Sequence, residues 1–316
     1  MRHRPRDPGP PGEEGDAVLE GIPLIDAHLH AARLPTLKMS LEEWTGHFEG
    51  GVENLLKLYD DEGTIIPARF DEYLAEEGVD IAILFAEYSP KSTGIQAVED
   101  MLPILEYNPG RFKLMANLNP HLHYPLVREL KRQISLGAVG LKLHPVHGSF
   151  APNDRMLYPA YAFCEGENFP VVFHCGTSVF PGATNRYADP ALIEDVSRDF
   201  PELTIVLAHG GRGWWYDAAA FITLMRPNVY IEISGLPPRK LPDYYSNFNL
   251  ERLARKMVFG TDWPGVPGPK ANARTIAGLG LERDTLAMIL HENARRIYKL
   301  EQSEDPAIHL RGADSP

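Results

Sequence analysis

The stretch PLIDAHLHAA, residues 23–32, runs apolar through Leu24, Ile25 and Ala27 and then ends on two imidazoles, His28 and His30. On a β-strand, residues i and i+2 face the same side about 6.5–7 Å apart, so the two histidines can converge on one point. A single metal ion satisfies that geometry. A pair of hydrogen-bonded histidines at a strand end satisfies it too, and the remaining sequence has to separate the two.

Further along the chain, similar runs recur as DIAILFAE, FKLMANLN, AVGLKLH, PVVFH, LTIVLAH, VYIEIS and KMVFGTD. They are nearly continuous in apolar residues rather than alternating, as expected of strands buried on both faces of a parallel sheet. The eight runs begin near residues 24, 80, 112, 138, 170, 203, 229 and 256, so after the first gap they recur every 26 to 33 residues, about one βα unit each. Between them lie amphipathic segments. In HLHYPLVRELKRQISLG, Leu126, Val127, Leu130 and Ile134 form one helical stripe, and near the end Leu286, Ile289, Leu290, Ala294, Ile297 and Tyr298 form another. This pattern predicts an α/β fold, a single, distorted (β/α)8 TIM barrel over residues 22–300 with a long insertion after strand 1. A doubly wound sheet is the structural competitor, because periodicity alone does not prove closure. The insertion, residues 31–66, carries Trp44, Phe48 and Tyr59. It is expected either to wall the substrate pocket as a lid or to pack on the rim.

The 316 residues, 44% of them hydrophobic, are enough for one large α/β domain. A formal net charge of -12 with no cationic cluster argues against a nucleic-acid partner. No apolar run reaches the roughly 18 residues of a membrane span. Residues 1–21, rich in proline, glycine and charge, read as a disordered leader without a signal-peptide core, and residues 301–316 as a flexible tail. The two cysteines, Cys164 and Cys175, are too few for a disulfide framework or a cysteine zinc site, which fits a cytoplasmic location.

In a TIM barrel the C-terminal strand ends carry the active site. Here those ends are His28 and His30, Glu87, Asn117 and Asn119, Lys142 and His144, His174, His209, Glu232 and Ser234, and Asp262. Imidazoles and carboxylates gathered at one rim suit zinc, manganese or iron with an open coordination position. Among the other residues near that rim, Arg186 and Arg212 can clamp a substrate carboxylate or form surface ion pairs. Trp214, Trp215 and Trp263 can line a pocket or pack core. No P-loop, dinucleotide fingerprint or nucleophile-elbow serine is present.

The motifs DAHLH, GLKLHP, VVFHCG, VLAHGG, FGTDWP and the terminal HENARRIY resemble the amidohydrolase superfamily, in the branch that contains aminocarboxymuconate-semialdehyde decarboxylase and γ-resorcylate decarboxylase. The resemblance covers about Ile22 to Leu300. It implies a metal-dependent hydrolase or decarboxylase acting on a small organic acid, ester, amide or lactone. His28, His30, His174 and Asp262 would hold a divalent metal, zinc first with manganese or iron as alternatives, and His209 and Asp262 would be the catalytic acid/base groups. A second ion would use Lys142 or Glu87 as bridge and be held by His174 and His209; otherwise Lys142 is a buried lysine paired with Glu232 or Asp262. His144, Arg186, Arg212 and Trp263 are the candidate substrate contacts, with His147 beside them as a pocket group. A homodimer is expected from the resemblance alone. The competing reading of the same ligand set is a non-haem mono- or di-iron oxygenase.

Overall fold

The computed structural model of the chain describes residues 19–39, 43, 52–264 and 268–300. Eight parallel strands form one sheet in the order β1 (Ile25–Leu29), β2 (Ile81–Phe85), β5 (Phe112–Leu118), β6 (Ala138–Leu143), β7 (Val171–Gly176), β8 (Ile205–Arg212), β9 (Val229–Glu232) and β10 (Met257–Val258). β10 is only two residues long, so the chain beyond it completes the ring. Ala27 N donates to Phe259 O at 3.1 Å, Asp262 N to His28 O at 2.9 Å, and His30 N to Trp263 O at 2.9 Å. The sequence-expected barrel is therefore the observed one, and the doubly wound alternative falls with these closing bonds.

Alternation along each strand sorts side chains into two layers, as the pleat requires. Ile83, Phe85, Met115, Val172, Val206 and Ala208 belong to an inner cluster with Tyr298 and Leu300, whereas Leu84, Leu114, Leu141, Phe173 and Leu207 pack outward under the helices. The C-terminal stripe Leu286 to Tyr298 is buried as expected, but it contains a π-helical turn over Met288–Glu292. Helix Leu126–Ser135 buries Gln133 beside its apolar stripe, because Gln133 Oε1 accepts from Asn117 N at 2.7 Å and its Nε2 donates to Asn117 O at 3.0 Å. That amide pins the end of β5.

An antiparallel pair not legible in the sequence follows β2: β3 (Glu87–Ser89) with β4 (Gly94–Gln96). The first connection lies against it, with Leu37 bridged to Gly94 and Lys38 N donating to Thr93 O at 3.1 Å. Gly94 has φ +111 and a Cβ there would run into Thr36 O, so the close approach needs glycine. Tyr59 is buried, while Trp44 and Phe48 lie outside the described residues. So do most of the expected leader and all of the tail; Leu19, within the expected leader, packs on the core. Among the described residues no helix is long and apolar enough to cross a membrane.

Candidate metal centre and substrate cavity

His28 and His30 enter the barrel end from β1 and meet Asp262 arriving from beyond β10. His28 Nε2 lies 3.2 Å from His30 Nε2 and 3.6 Å from Asp262 Oδ1, and His30 Nε2 lies 3.4 Å from the same oxygen. Three ligands at about 2.0–2.1 Å from a tetrahedral ion stand about 3.3 Å from one another, which is this triangle. The donor set and its spacing fit a divalent metal ion.

The surroundings prepare those three groups. His28 Nδ1 is 2.9 Å from both Glu232 carboxylate oxygens and 2.9 Å from Ser234 Oγ, so its proton sits on Nδ1 and the Nε2 lone pair faces the triangle. Phe85 stacks on the same ring at 4.0 Å and fixes its plane. Burial and the nearby Lys142 charge hold His28 well below the usual imidazole range, in the neutral form a metal ligand needs. Burial alone would raise Asp262, but the hydrogen bond from His30 and the charges of His28, His30 and Arg212 hold its carboxyl below the ordinary range. Asp26 ties the ring closure to β1: it accepts from Thr261 N at 3.0 Å, Thr261 Oγ1 at 2.7 Å and His28 N at 3.2 Å. Burial nevertheless pushes Asp26 up to about 7.

His209 and Asp262 both have φ +67, a left-handed conformation rare outside glycine. Strained backbone at two rim residues far apart in the chain marks a site that the surrounding structure holds in place. His209 Nδ1 donates to Ser234 O at 3.0 Å, which leaves its Nε2 as an acceptor. Gly235, at φ +63, passes so close that a Cβ would stand 2.8 Å from Asp262 Oδ2.

A cavity of about 330 Å³ opens over this rim, lined by His30, Asp262, His209, His174, His144, His147, Glu87 and Arg212, with Leu37, Val179 and Phe180 as its apolar wall. Arg212 Nη1 is 3.7 Å from Asp262 Oδ2 and donates to Gly235 O at 3.3 Å. Across the cavity Glu87 Oε1 accepts from His147 Nδ1 at 2.7 Å and Thr93 Oγ1 at 2.5 Å. Burial alone would raise Glu87; His147, His30 and Thr93 bring it down to about 2.

Not every sequence candidate arrives where expected. His174 lines the cavity, its ring 4.5 Å from that of His209, but its Nε2 donates to Gly176 O at 3.0 Å and so is turned out of the ligand triangle. Lys142 is fully buried, its Nζ 4.9 Å over the Phe85 ring and without a hydrogen-bond partner among the described residues. Burial depresses Lys142 and raises Glu232, and each is the main charge that opposes the shift of the other. Glu87 faces His147 and Thr93. Arg186 is exposed and lies over Tyr187, and Trp263 is core, packed on Phe70 at 5.0 Å; neither lines the cavity. Trp214 is exposed. Sequence reasoning left without a role Asp26, Asn117, Thr93 and Ser178, whose Oγ lies 2.9 Å from His147 Nε2; Asp26, inside the DAHLH motif as a lone acid in an apolar run, was the available signal.

A parallel barrel whose C-terminal rim brings two imidazoles and a carboxylate to one point defines a metal-dependent enzyme of hydrolase or decarboxylase type. Residues 25–300 match the family described as amidohydrolase, and the chain belongs to that family. No curated protein matches the sequence. Among solved structures, an uncharacterized TIM-barrel protein from Bordetella bronchiseptica is 24% identical, with a TM-score of 0.72 over 88% of this chain and 98% of that one. A 5-carboxyvanillate decarboxylase from Novosphingobium aromaticivorans, complexed with manganese and 4-hydroxy-3-methoxy-5-nitrobenzoic acid, is 16% identical, with a TM-score of 0.62 over 89% and 97%. A probable 2-pyrone-4,6-dicarboxylic acid hydrolase from Acinetobacter baumannii, with citric acid bound, is 17% identical, with a TM-score of 0.60 over 87% and 99%. These likenesses are of fold.

Proposed function

We propose that this chain is a hydrolase or decarboxylase of a small organic acid, working with one divalent ion, zinc or manganese, held by His28, His30 and Asp262. The observation that carries the reading is the ligand triangle with separations of 3.2, 3.4 and 3.6 Å. Manganese in the carboxyvanillate decarboxylase of similar fold supports that choice of metals over iron. When bound, the ion supplies Lewis acidity toward a substrate oxygen or a water.

The chain's own residues do the rest. Glu232 and Ser234 hold the His28 lone pair on target. Arg212 brings a fixed positive charge to the cavity wall, where a substrate carboxylate is matched by its guanidinium. His209 Nε2, free to accept because Nδ1 is committed to Ser234 O, takes a proton from the reacting group and returns it. Leu37, Val179 and Phe180 shed water from an acid with an apolar body.

The test is metal analysis of the purified protein beside His30→Ala and Asp262→Ala, followed by a screen of small aromatic and aliphatic acids read for released carbon dioxide and for released protons. One zinc or manganese per chain, lost in both variants, is expected, with turnover in one readout and no oxygen uptake. Full metal retention in either variant, or oxygen consumption with bound iron, overturns the reading.

A further inference from the structure

Glu87, His144 and His147 form a second group of donors, all within 4.8 Å of one another, which by residue type alone could hold another cation. The protons say otherwise. Asn117 Oδ1 accepts from Tyr88 N at 3.2 Å and its Nδ2 donates to Lys142 O at 3.0 Å, so two backbone partners fix which way the amide faces. The same Nδ2 lies 2.8 Å from His144 Nδ1. That nitrogen must therefore accept, and the imidazole proton sits on Nε2. Ligation through Nε2 would put a proton on Nδ1 against the Asn117 amide, donor against donor.

His144 Nε2 finds no partner within hydrogen-bond distance among the described residues; the nearest carboxylate oxygen, Glu87 Oε2, is 3.7 Å away. Thr93 and His147 both use Glu87 Oε1, so Oε2 is left with lone pairs facing the same space. The cavity wall thus presents one fixed N–H donor beside one fixed acceptor. An oxygen that accepts from the first and donates to the second carries an O–H, as water does in the free site and a hydroxyl does on a substrate that displaces it; a carboxylate or carbonyl cannot donate, and an ammonium cannot accept. At about 2.8 Å from both groups such an oxygen subtends about 80° between them, and opening to a tetrahedral angle asks for less than about 1 Å of side-chain movement.

We propose that His144 and Glu87 are the specificity site for a hydroxyl group on the substrate, with Asn117 as the positioning residue that sets the His144 tautomer. The substrate class is a small hydroxylated acid. The His144 and His30 rings are 6.3 Å apart, so a single small ring spans from the hydroxyl site to the ligand triangle. This proposal rests on the cavity being the substrate site of the metal centre.

Two measurements on the full chain test it: calorimetry on the manganese-loaded protein and ring spectra on the diamagnetic zinc-loaded protein. Calorimetry with 2-, 3- and 4-hydroxybenzoate, their methoxy counterparts and benzoate is expected to show one hydroxybenzoate binding about tenfold or more tighter than its methoxy partner and benzoate. His144→Ala and Glu87→Gln shrink that difference to within about twofold. In Glu87→Gln the amide oxygen stays with Thr93 and His147, which turns the free position into a donor. Nitrogen-15 spectra of the histidine rings, assigned against His144→Ala, are expected to show His144 protonated at Nε2 only, and Asn117→Asp to move the proton to Nδ1. Equal binding of hydroxy and methoxy probes, no binding of any hydroxybenzoate, a wild-type His144 protonated at Nδ1, or a second metal equivalent lost in Glu87→Gln each overturns the proposal. Benzoate binding without hydroxyl preference leaves the metal-site reading standing, whereas metal retention in His30→Ala brings down that reading while the ring spectra still decide His144.

Discussion

Glu232→Gln changes one buried carboxylate that touches no cavity and should still cripple metal binding. Both Glu232 oxygens lie 2.9 Å from His28 Nδ1, so the carboxylate fixes the ring and makes its Nε2 a better donor. A glutamine keeps one acceptor oxygen but loses the charge and sets an NH2 group where the other oxygen stood. Loss of such a supporting group weakens metal affinity about 10- to 100-fold. At a metal concentration of about 100 times the wild-type Kd, binding stabilises the fold by about 2.7 kcal/mol; a 30-fold weaker site leaves about 0.9 kcal/mol. At about 2 °C per kcal/mol for a chain of this size, the metal-induced rise in Tm shrinks by about 4 °C. The assay is a thermal melt with and without zinc or manganese, beside a chelator competition for Kd. A Kd within twofold of wild type in a folded variant would show that His28 does not depend on Glu232, and the account of how the triangle is prepared would be wrong.

Two further outcomes follow from the geometry. Asp26→Ala leaves Thr261 N, the Thr261 hydroxyl and His28 N without their acceptor, so urea unfolding of the metal-free protein should show a loss of about 3 kcal/mol; a loss under about 1 kcal/mol would refute Asp26 as the clasp of the ring. Burial pushes the Cys164 and Cys175 thiols up to about 12, so at pH 8 their thiolate fraction is about a thousandfold below that of an ordinary thiol with pKa near 9. A disulfide reagent should therefore find no fast-reacting thiol until the protein unfolds, reactivity rising with pH, and prompt labelling of the native chain at pH 8 would contradict that burial.

The barrel was legible because a strand buried on both faces must be apolar throughout, and eight such runs at βα spacing leave little else to build. Strand starts expected near residues 112, 138 and 229 fall at Phe112, Ala138 and Val229. The two-residue β10 kept closure out of reach of pattern, since the bonds that complete the ring come from backbone around Phe259 and Trp263, whose residue types say nothing of pairing. The hairpin Glu87–Ser89 with Gly94–Gln96 was hidden for a similar reason: three residues per strand are too few to show a period.

For the site, the sequence by itself determined which chemical groups stand at the rim, because strand ends can be read from where apolar runs stop. That is why His28, His30, His209 and Asp262 were found without coordinates. Only the tertiary structure decided which partners each group meets, since those partners lie far away in the chain. Glu232 meets His28 across 204 positions, and Thr261 meets Asp26 across 235. His174, Arg186 and Trp263 show the limit from the other side: residue type qualified each of them, and the direction of a side chain took each elsewhere. The proton on His144 is the finest case, settled by one amide of Asn117 whose own orientation is settled by two backbone groups, because a hydrogen bond needs a donor facing an acceptor and only folding brings the two together.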